Sequence, residues 1–166
     1  MTLHRLRNTI LAAAVLASFS PLKGQQADFN EVGRQMSIML QNSHFARLPF
    51  DEALGRRFLD DYLKDLDFQR LYFTQEDVDR FNESYGSRMH SLILQGKSME
   101  AATTIYDIFK ERVRARVAQT EKLLNGNDLD FASDDKVMMS RKDAAWPKNE
   151  KEAAELWRLQ IKEAVL

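Results

Sequence analysis

The chain has 166 residues and a mass of 19.3 kDa, which is enough for one ordinary domain. Its 24 Lys and Arg residues nearly balance 25 Asp and Glu residues, and this net charge of -1 argues against a dedicated nucleic-acid-binding protein. The lack of cysteine excludes disulfides, thiolate zinc sites and cysteine nucleophiles, and six Gly with three Pro fit an all-β fold poorly.

The N-terminus has the pattern of a secretory signal peptide. Arg5 and Arg7 precede an uncharged run over residues 9–19, and Pro21 and a polar stretch follow it. The run holds eleven residues, whereas a membrane-spanning helix needs about 20. We therefore predict a signal peptide over residues 1–24, a single exported domain over residues 25–166 and no stable membrane span in the mature form.

The next two segments have apolar residues at helical spacing. The first stripe ends near Asn42, and we expect Met36 and Met39 within it to fill the core. Asp51 is placed to cap a second helix that continues to Leu66. The residues of the first stripe are Phe29, Val32, Met36, Met39 and Leu40.

Two further helices are predicted in the centre of the chain. Thr74 and Asp77 have the spacing of a capping box, and the apolar stripe after them runs towards Gly96. A long helix should begin near Ser98 and end at Asn125, spanning roughly 40 Å. Its predicted apolar side consists of Ala102, Ile105, Phe109, Val113, Val117, Thr120 and Leu124.

The long helix also carries a cluster of charged side chains. We interpret this cluster as a solvated face with internal Glu–Arg pairs, the alternative being a docking surface for an acidic partner. Its members are Lys110, Glu111, Arg112, Arg114 and Arg116.

Residues 127–145 show no helical pattern and are predicted to form an extended strap across the helices. Asn149 then caps a last helix, with Glu152 at the reciprocal capping-box position. The chain stops at Leu166 without Gly, Pro or a polar tail, which we interpret as an interrupted helix. The prediction is an all-α, irregular domain of about five helices with a strap before the last one.

The residues alone show no reactive site. His44 and His90 lack a metal-ligand spacing, and no phosphate-binding or nucleophile motif occurs. The acidic stretches at residues 60–67 and 125–130 depart from the ligand order of a calcium loop. We therefore predict no catalytic residue, no cofactor and no metal site.

Three stretches carry a resemblance to a known family. Residues 58–67 with 71–78, and residues 141–150 running into Leu156 and Trp157, are similar to the N-terminal domain of bacterial tail-specific proteases, also called carboxy-terminal processing peptidases. The resemblance spans residues 29–166, with Ala145 where the family often has proline. The motif residues, to which we assign structural roles, are Tyr62, Leu66, Asp67, Tyr72, Phe73, Asp77, Arg141, Trp146, Pro147, Lys148, Asn149 and Trp157.

The resemblance implies a periplasmic processing protease in which a helical domain precedes a PDZ domain and a peptidase core with a Ser/Lys dyad. The lysine of such a dyad, its pKa lowered by burial, takes the proton of the serine hydroxyl. The implied partners are those PDZ and peptidase domains, protein substrates with apolar C-termini and a periplasmic adaptor. The family's catalytic residues lie beyond Leu166, so Ser98, Ser133 and Ser140 receive no catalytic role.

Three hypotheses about function remain open at this point. The chain is either the scaffold domain of such a protease, inactive alone, or a free-standing periplasmic helical module that binds a partner protein. A small-molecule enzyme ranks third, because no convergent polar group supports it. For the isolated domain we expect an exposed apolar patch involving Trp157, Ile161 and Val165.

Overall fold

The computed structural model describes residues 27–43, 49–126 and 129–166. The predicted signal peptide and His44 lie outside these residues. The described part contains helices and no strand, so the all-α prediction is confirmed. The helices are α1 (Phe29–Ser43), α2 (Glu52–Leu66), α3 (Gln75–Phe81), α4 (Met89–Leu94), α5 (Ser98–Asn125) and α6 (Glu150–Val165), and a π-helical turn (Asn82–Gly86) follows α3.

The predicted helix starts are confirmed. The Asp51 carboxylate accepts the Leu54 amide at 3.0 Å, and Thr74 and Asp77 form a reciprocal capping box. The Asn149 side chain accepts the Glu152 amide at 3.1 Å. The reciprocal bond expected at α6 is wrong in one respect, because the Glu152 carboxylate accepts the amide of Lys148 and not that of Asn149.

The segment from Thr74 to Gly96 is divided, although its sequence predicts one continuous stripe. A π-helical turn interrupts the helix after Phe81. The apolar residues of the stripe are nevertheless all buried, and they are Val78, Phe81, Tyr85, Met89 and Leu92. The chain passes close to α2 here, since a Cβ atom at Gly86 would lie 2.8 Å from the Arg56 guanidinium. Gly96 ends α4 in the left-handed region, with φ of 65°.

The core lies between α2, the α3–α4 segment and the first half of α5. Phe73 and Phe81 meet edge to face, with ring centroids 5.5 Å apart. Full burial of each large apolar side chain contributes roughly 1.5–3 kcal/mol. The core residues are Leu59, Leu63, Phe73, Val78, Phe81, Tyr85, Met89, Leu92, Ala101 and Ile105.

Helix α1 packs against α4 and α5. Ser37 is buried, and the Asn30 side chain accepts the Met99 amide at 2.9 Å, capping α5, which has no side-chain cap of its own. The prediction that Met36 and Met39 fill the core is wrong, because these side chains are 54% and 59% exposed. Helical periodicity identifies an apolar face, but it does not determine which face the protein covers.

In the second half of α5, the side of the helix that is buried differs from the predicted apolar side. Arg116 is 1% exposed, whereas Val117 is 52% exposed and Leu124 is exposed too. The interpretation of Arg112 and Arg116 as part of a solvated face is therefore wrong. The buried side continues through residues 105, 109, 112, 116 and 123, which follow the helical repeat despite the two arginines.

The strap is confirmed as an irregular segment before α6, because residues 129–148 contain no helix. No helix within the described ranges combines the length and apolar character needed to cross a membrane.

The close approach of α2 and α4 generates a test of the fold. A Cβ atom at Gly55 would lie 2.5 Å from the His90 backbone nitrogen. Because backbone has to move, we expect Gly55→Ala to lower the free energy of unfolding by roughly 2–3 kcal/mol in urea titrations. At Gly33 the nearest atom would be 3.5 Å away, so Gly33→Ala should instead be neutral or stabilising by up to about 1 kcal/mol. Equal losses in both variants would contradict the packing described.

Candidate functional site

Most of the family-motif residues meet in one region, where the strap joins the helices. We call this region the strap junction. It comprises the turn over residues 67–73, the N-terminus of α3, residues 141–150 and the side of α5 that faces them. Tyr62 lies elsewhere, on α2, where its hydroxyl donates to the Ala102 carbonyl at 3.1 Å, and Leu66 packs against the core.

Asp67 organises the turn that follows α2. Its buried carboxylate accepts the backbone amides of Leu71, Tyr72 and Phe73, each at 2.9 Å. Burial raises the pKa of Asp67 above its ordinary value, and the three amides and the charge of Arg141 limit the rise. The sequence break at residues 67–73 is therefore an ordered turn that positions two aromatic side chains.

The strap contacts this turn and the start of α3. Arg70, in the left-handed region with φ of 53°, places its guanidinium 5.2 Å from the Trp146 ring centroid and donates to the Ala144 carbonyl. The Trp146 and Phe73 rings lie 6.2 Å apart. The Pro147 carbonyl accepts an amide of the first turn of α3 at 2.7 Å. The Trp-Pro pair thus joins the strap to the helix by packing and by a backbone hydrogen bond.

Asp77 is fully buried and connects α3 to α5. Its carboxylate receives two hydrogen bonds from Arg112, at 2.8 and 2.9 Å, and one from Arg80 at 2.6 Å. Burial raises the pKa of Asp77, but the hydrogen bonds from Arg112 and Thr74 outweigh it, so the pKa lies below its ordinary value. The carboxylate is consequently held in its charged form.

Glu150, the first residue of α6, extends this network. It accepts Arg116 at 2.7 Å and Arg112 at 3.4 Å, which links α6 to α5. The Arg116 guanidinium is buried and also reaches the Leu71 carbonyl at 3.4 Å. Sequence reasoning missed Arg70, Arg112, Arg116 and Glu150 as members of this region. The signal for the two α5 arginines was their spacing of four residues, which places them on one helical side.

The remaining motif residues lie around this network. The Trp157 indole donates to Thr120 at 2.9 Å and packs 5.5 Å from the Tyr72 ring. Arg141 is largely buried and donates to the Ala145 carbonyl, whereas the Lys148 side chain is exposed. Of the patch predicted at the chain end, Val165 is exposed but Trp157 and Ile161 are only half-exposed, so the prediction of an exposed Trp157 is wrong.

A serine and a lysine do meet on the strap, where the sequence assigned no role. The buried Lys162 donates to the Ser133 hydroxyl at 2.7 Å, to the Ser133 carbonyl at 3.1 Å and to Asp135 at 2.9 Å. This pair therefore attaches the strap to α6.

Asp135 supplies the charge that holds this lysine. Hydrogen bonds from Lys162 and Ser133 lower the pKa of Asp135 from 3.8 to about 2. Arg158 contacts the same carboxylate at 3.3 Å and also pairs with Glu155. The attachment of the strap to α6 is thus ionic as well as hydrogen-bonded.

Metal ligands do not gather in the part of the chain that the structure describes, where no group of three His, Cys, Asp or Glu side chains is arranged to hold an ion. His90 lies between α2 and α4, and its ring nitrogen Nε2 contacts the Ser91 hydroxyl at 3.1 Å. At the strap junction, ion pairs join Asp77 to Arg112 and Arg116 to Glu150.

A family model described as the tail specific protease N-terminal domain matches residues 36–166. The chain belongs to this family. The match includes the strap junction in full, as well as helices α2 to α6. The N-terminal half of α1 lies before it.

This tail-specific protease N-terminal domain is also similar to a curated relative. It is 29% identical over 133 residues to the tail-specific protease of Haemophilus influenzae, a match that covers 80% of the chain. The chain spans 19% of the length of that relative.

We expect the carboxylate of Asp67 to make a large contribution to the free energy of unfolding. Asp67→Ala leaves three inward-facing amides without an acceptor, and we expect a loss of roughly 3 kcal/mol in the free energy of unfolding. The exposed Asp65 lies two residues earlier, in the last turn of α2, so Asp65→Ala should change stability by less than about 0.5 kcal/mol. Urea denaturation of both variants measures the difference, and a mild effect at Asp67 would contradict the geometry.

The ionic attachment of the strap predicts a pH dependence. Because the pKa of Asp135 is lower in the folded chain than its ordinary 3.8, its contribution to stability is present above that pH. It is lost as the pH falls to about 2. In acid titrations of the unfolding free energy, Asp135→Asn should be less stable than the wild type at pH 6, and this difference should shrink towards pH 2. A constant difference would show that the carboxylate charge is unimportant.

Proposed function

We propose that the chain is the scaffold domain of a periplasmic serine-type endopeptidase that processes proteins from or near their C-termini. The observation that carries this proposal is the family match over residues 36–166, together with a relative about five times as long as the matched segment. The catalytic groups would belong to the remainder of the polypeptide.

The geometry supports a scaffold role for the chain itself. The one Ser/Lys contact described, between Ser133 and Lys162, has its lysine hydrogen-bonded to the carboxylate of Asp135 as well. Two of the buried charges at the strap junction have ion-pair partners within the domain, Asp77 with Arg112 and Arg116 with Glu150. Groups that are used in this way fix helices relative to one another and are not free to bind a substrate.

Rigidity is the property that a scaffold contributes to a protease. The strap junction connects α3, α5 and α6 through a continuous run of paired charges, which favours a fixed arrangement of these helices. A peptidase domain that packs on such an arrangement is held in a defined orientation, which supports the placement of a substrate next to the catalytic residues.

The partners and location belong to the same proposal. We assign a PDZ domain and a Ser/Lys peptidase core as partners in the same polypeptide, unstructured proteins with apolar C-termini as substrates, and a periplasmic adaptor protein as a further partner. Residues 1–24 would direct export as a cleaved signal peptide, with residues 25–166 as the mature domain.

Proteolysis assays test the proposal. The longer polypeptide should cleave an unstructured protein that ends in apolar residues, and should cleave it more slowly when the last residues are changed to Asp. Residues 25–166 alone should leave both proteins intact. Cleavage by the isolated domain would contradict the scaffold assignment.

A matched pair of variants separates scaffolding from chemistry. In the longer polypeptide, Asp67→Ala should lower the temperature at which activity is lost by several degrees, while Asp65→Ala should leave it unchanged. Ser133→Ala should retain full cleavage at low temperature, because the proposed catalytic groups lie in the remainder of the polypeptide. Loss of cleavage in a folded Ser133→Ala variant would overturn the assignment.

A further inference from the structure

The surface of α1 that faces away from the protein carries a regular apolar stripe. Phe29, Val32, Met36 and Met39 are 62%, 47%, 54% and 59% exposed. The opposite face of the helix, with Gly33 and Ser37, is the one that packs against the rest of the domain. Four of the six large apolar side chains of α1 are therefore exposed, whereas Ile38 and Leu40 are half-buried.

The spacing of the stripe identifies the shape of its partner. The four positions are separated by three, four and three residues, which is the a/d pattern of a helix that pairs with another helix. The positions that flank the stripe include the uncharged Gln35 and Asn42, so few charges oppose the approach of an apolar helix. An amphipathic helix is the element that such a seam accommodates.

The area of the stripe excludes a tight complex with a free partner. Four side chains with these exposures present on the order of 400 Å², against about 800 Å² for each partner in a stable complex. A helix in the same polypeptide does not need a large interface, because tethering gives it an effective concentration in the millimolar range. The relative's length leaves room for such a helix, since the chain spans only 19% of it.

We infer that the apolar stripe of α1 binds an amphipathic helix contributed by the remainder of the same polypeptide. The inference rests on the proposed function, which requires that remainder. It adds to that function a specific contact surface, placed on the first described helix and away from the strap junction.

Single-cysteine labelling tests the inference, because the chain has no native cysteine. Met36→Cys introduces a thiol in the seam, and Arg57→Cys introduces one on α2, where the native side chain is 78% exposed. The two variants are made in the 166-residue chain and in the longer polypeptide, with any cysteine of the remainder replaced by serine. The rate of reaction with a maleimide is measured for folded protein, with folding verified by circular dichroism.

We expect Met36→Cys to react about tenfold or more slowly in the longer polypeptide than in the 166-residue chain. Arg57→Cys should react at similar rates in both. Equal rates for Met36→Cys in the two proteins would overturn the inference. Slow labelling of Met36→Cys in the 166-residue chain would also overturn the inference. If that rate depends on protein concentration, a second copy of the chain covers the stripe. If it does not, other residues of the same chain cover it.

The same preparations separate this inference from the proposed function. If the longer polypeptide cleaves its substrate and Met36→Cys in it labels rapidly, the proposed function stands. The inferred helix contact on the apolar stripe of α1 is then wrong. A gene that encodes no longer polypeptide would reject both.

Discussion

The buried carboxylate of Asp77 is the constraint on which the arrangement of the domain depends. It has no access to water, so its charge is tolerated only while Arg112 and the backbone of the α3 cap remain in place. Arg112 lies on α5 and also reaches Glu150 at the start of α6. One desolvated charge is thereby connected to three helices, directly to α5 and through Arg112 to α6.

The local rules in the sequence determined the helix starts and the strap. Asp51, Thr74 and Asn149 cap helices because short polar side chains satisfy amides of the first turn, and this depends only on neighbouring residues. Gly96 ends α4 for an equally local reason. The motif residues that the family resemblance singled out are close together in space mainly because the strap returns to the turn at residues 67–73.

The faces of α1 and α5 depend on distant residues, and here the sequence was insufficient. Met36 looks like a core residue, but Gly33 and Ser37 allow a closer approach of α1 to its neighbours, and that face is the one covered. Arg116 looks like a surface residue, yet Glu150, 34 positions later, neutralises it. Neither outcome follows from periodicity, since each needs a partner that only the folded chain brings near.

The cap that α1 provides for α5 has a consequence for the order of folding. The first turn of α5 receives its acceptor from Asn30, 69 residues earlier, and α1 in turn has α4 and α5 as its covering surface. Helix α1 consequently has no surface to pack on until α4 and α5 have formed. Because the contact closes a loop of 69 residues, we expect docking of α1 to follow the formation of those two helices.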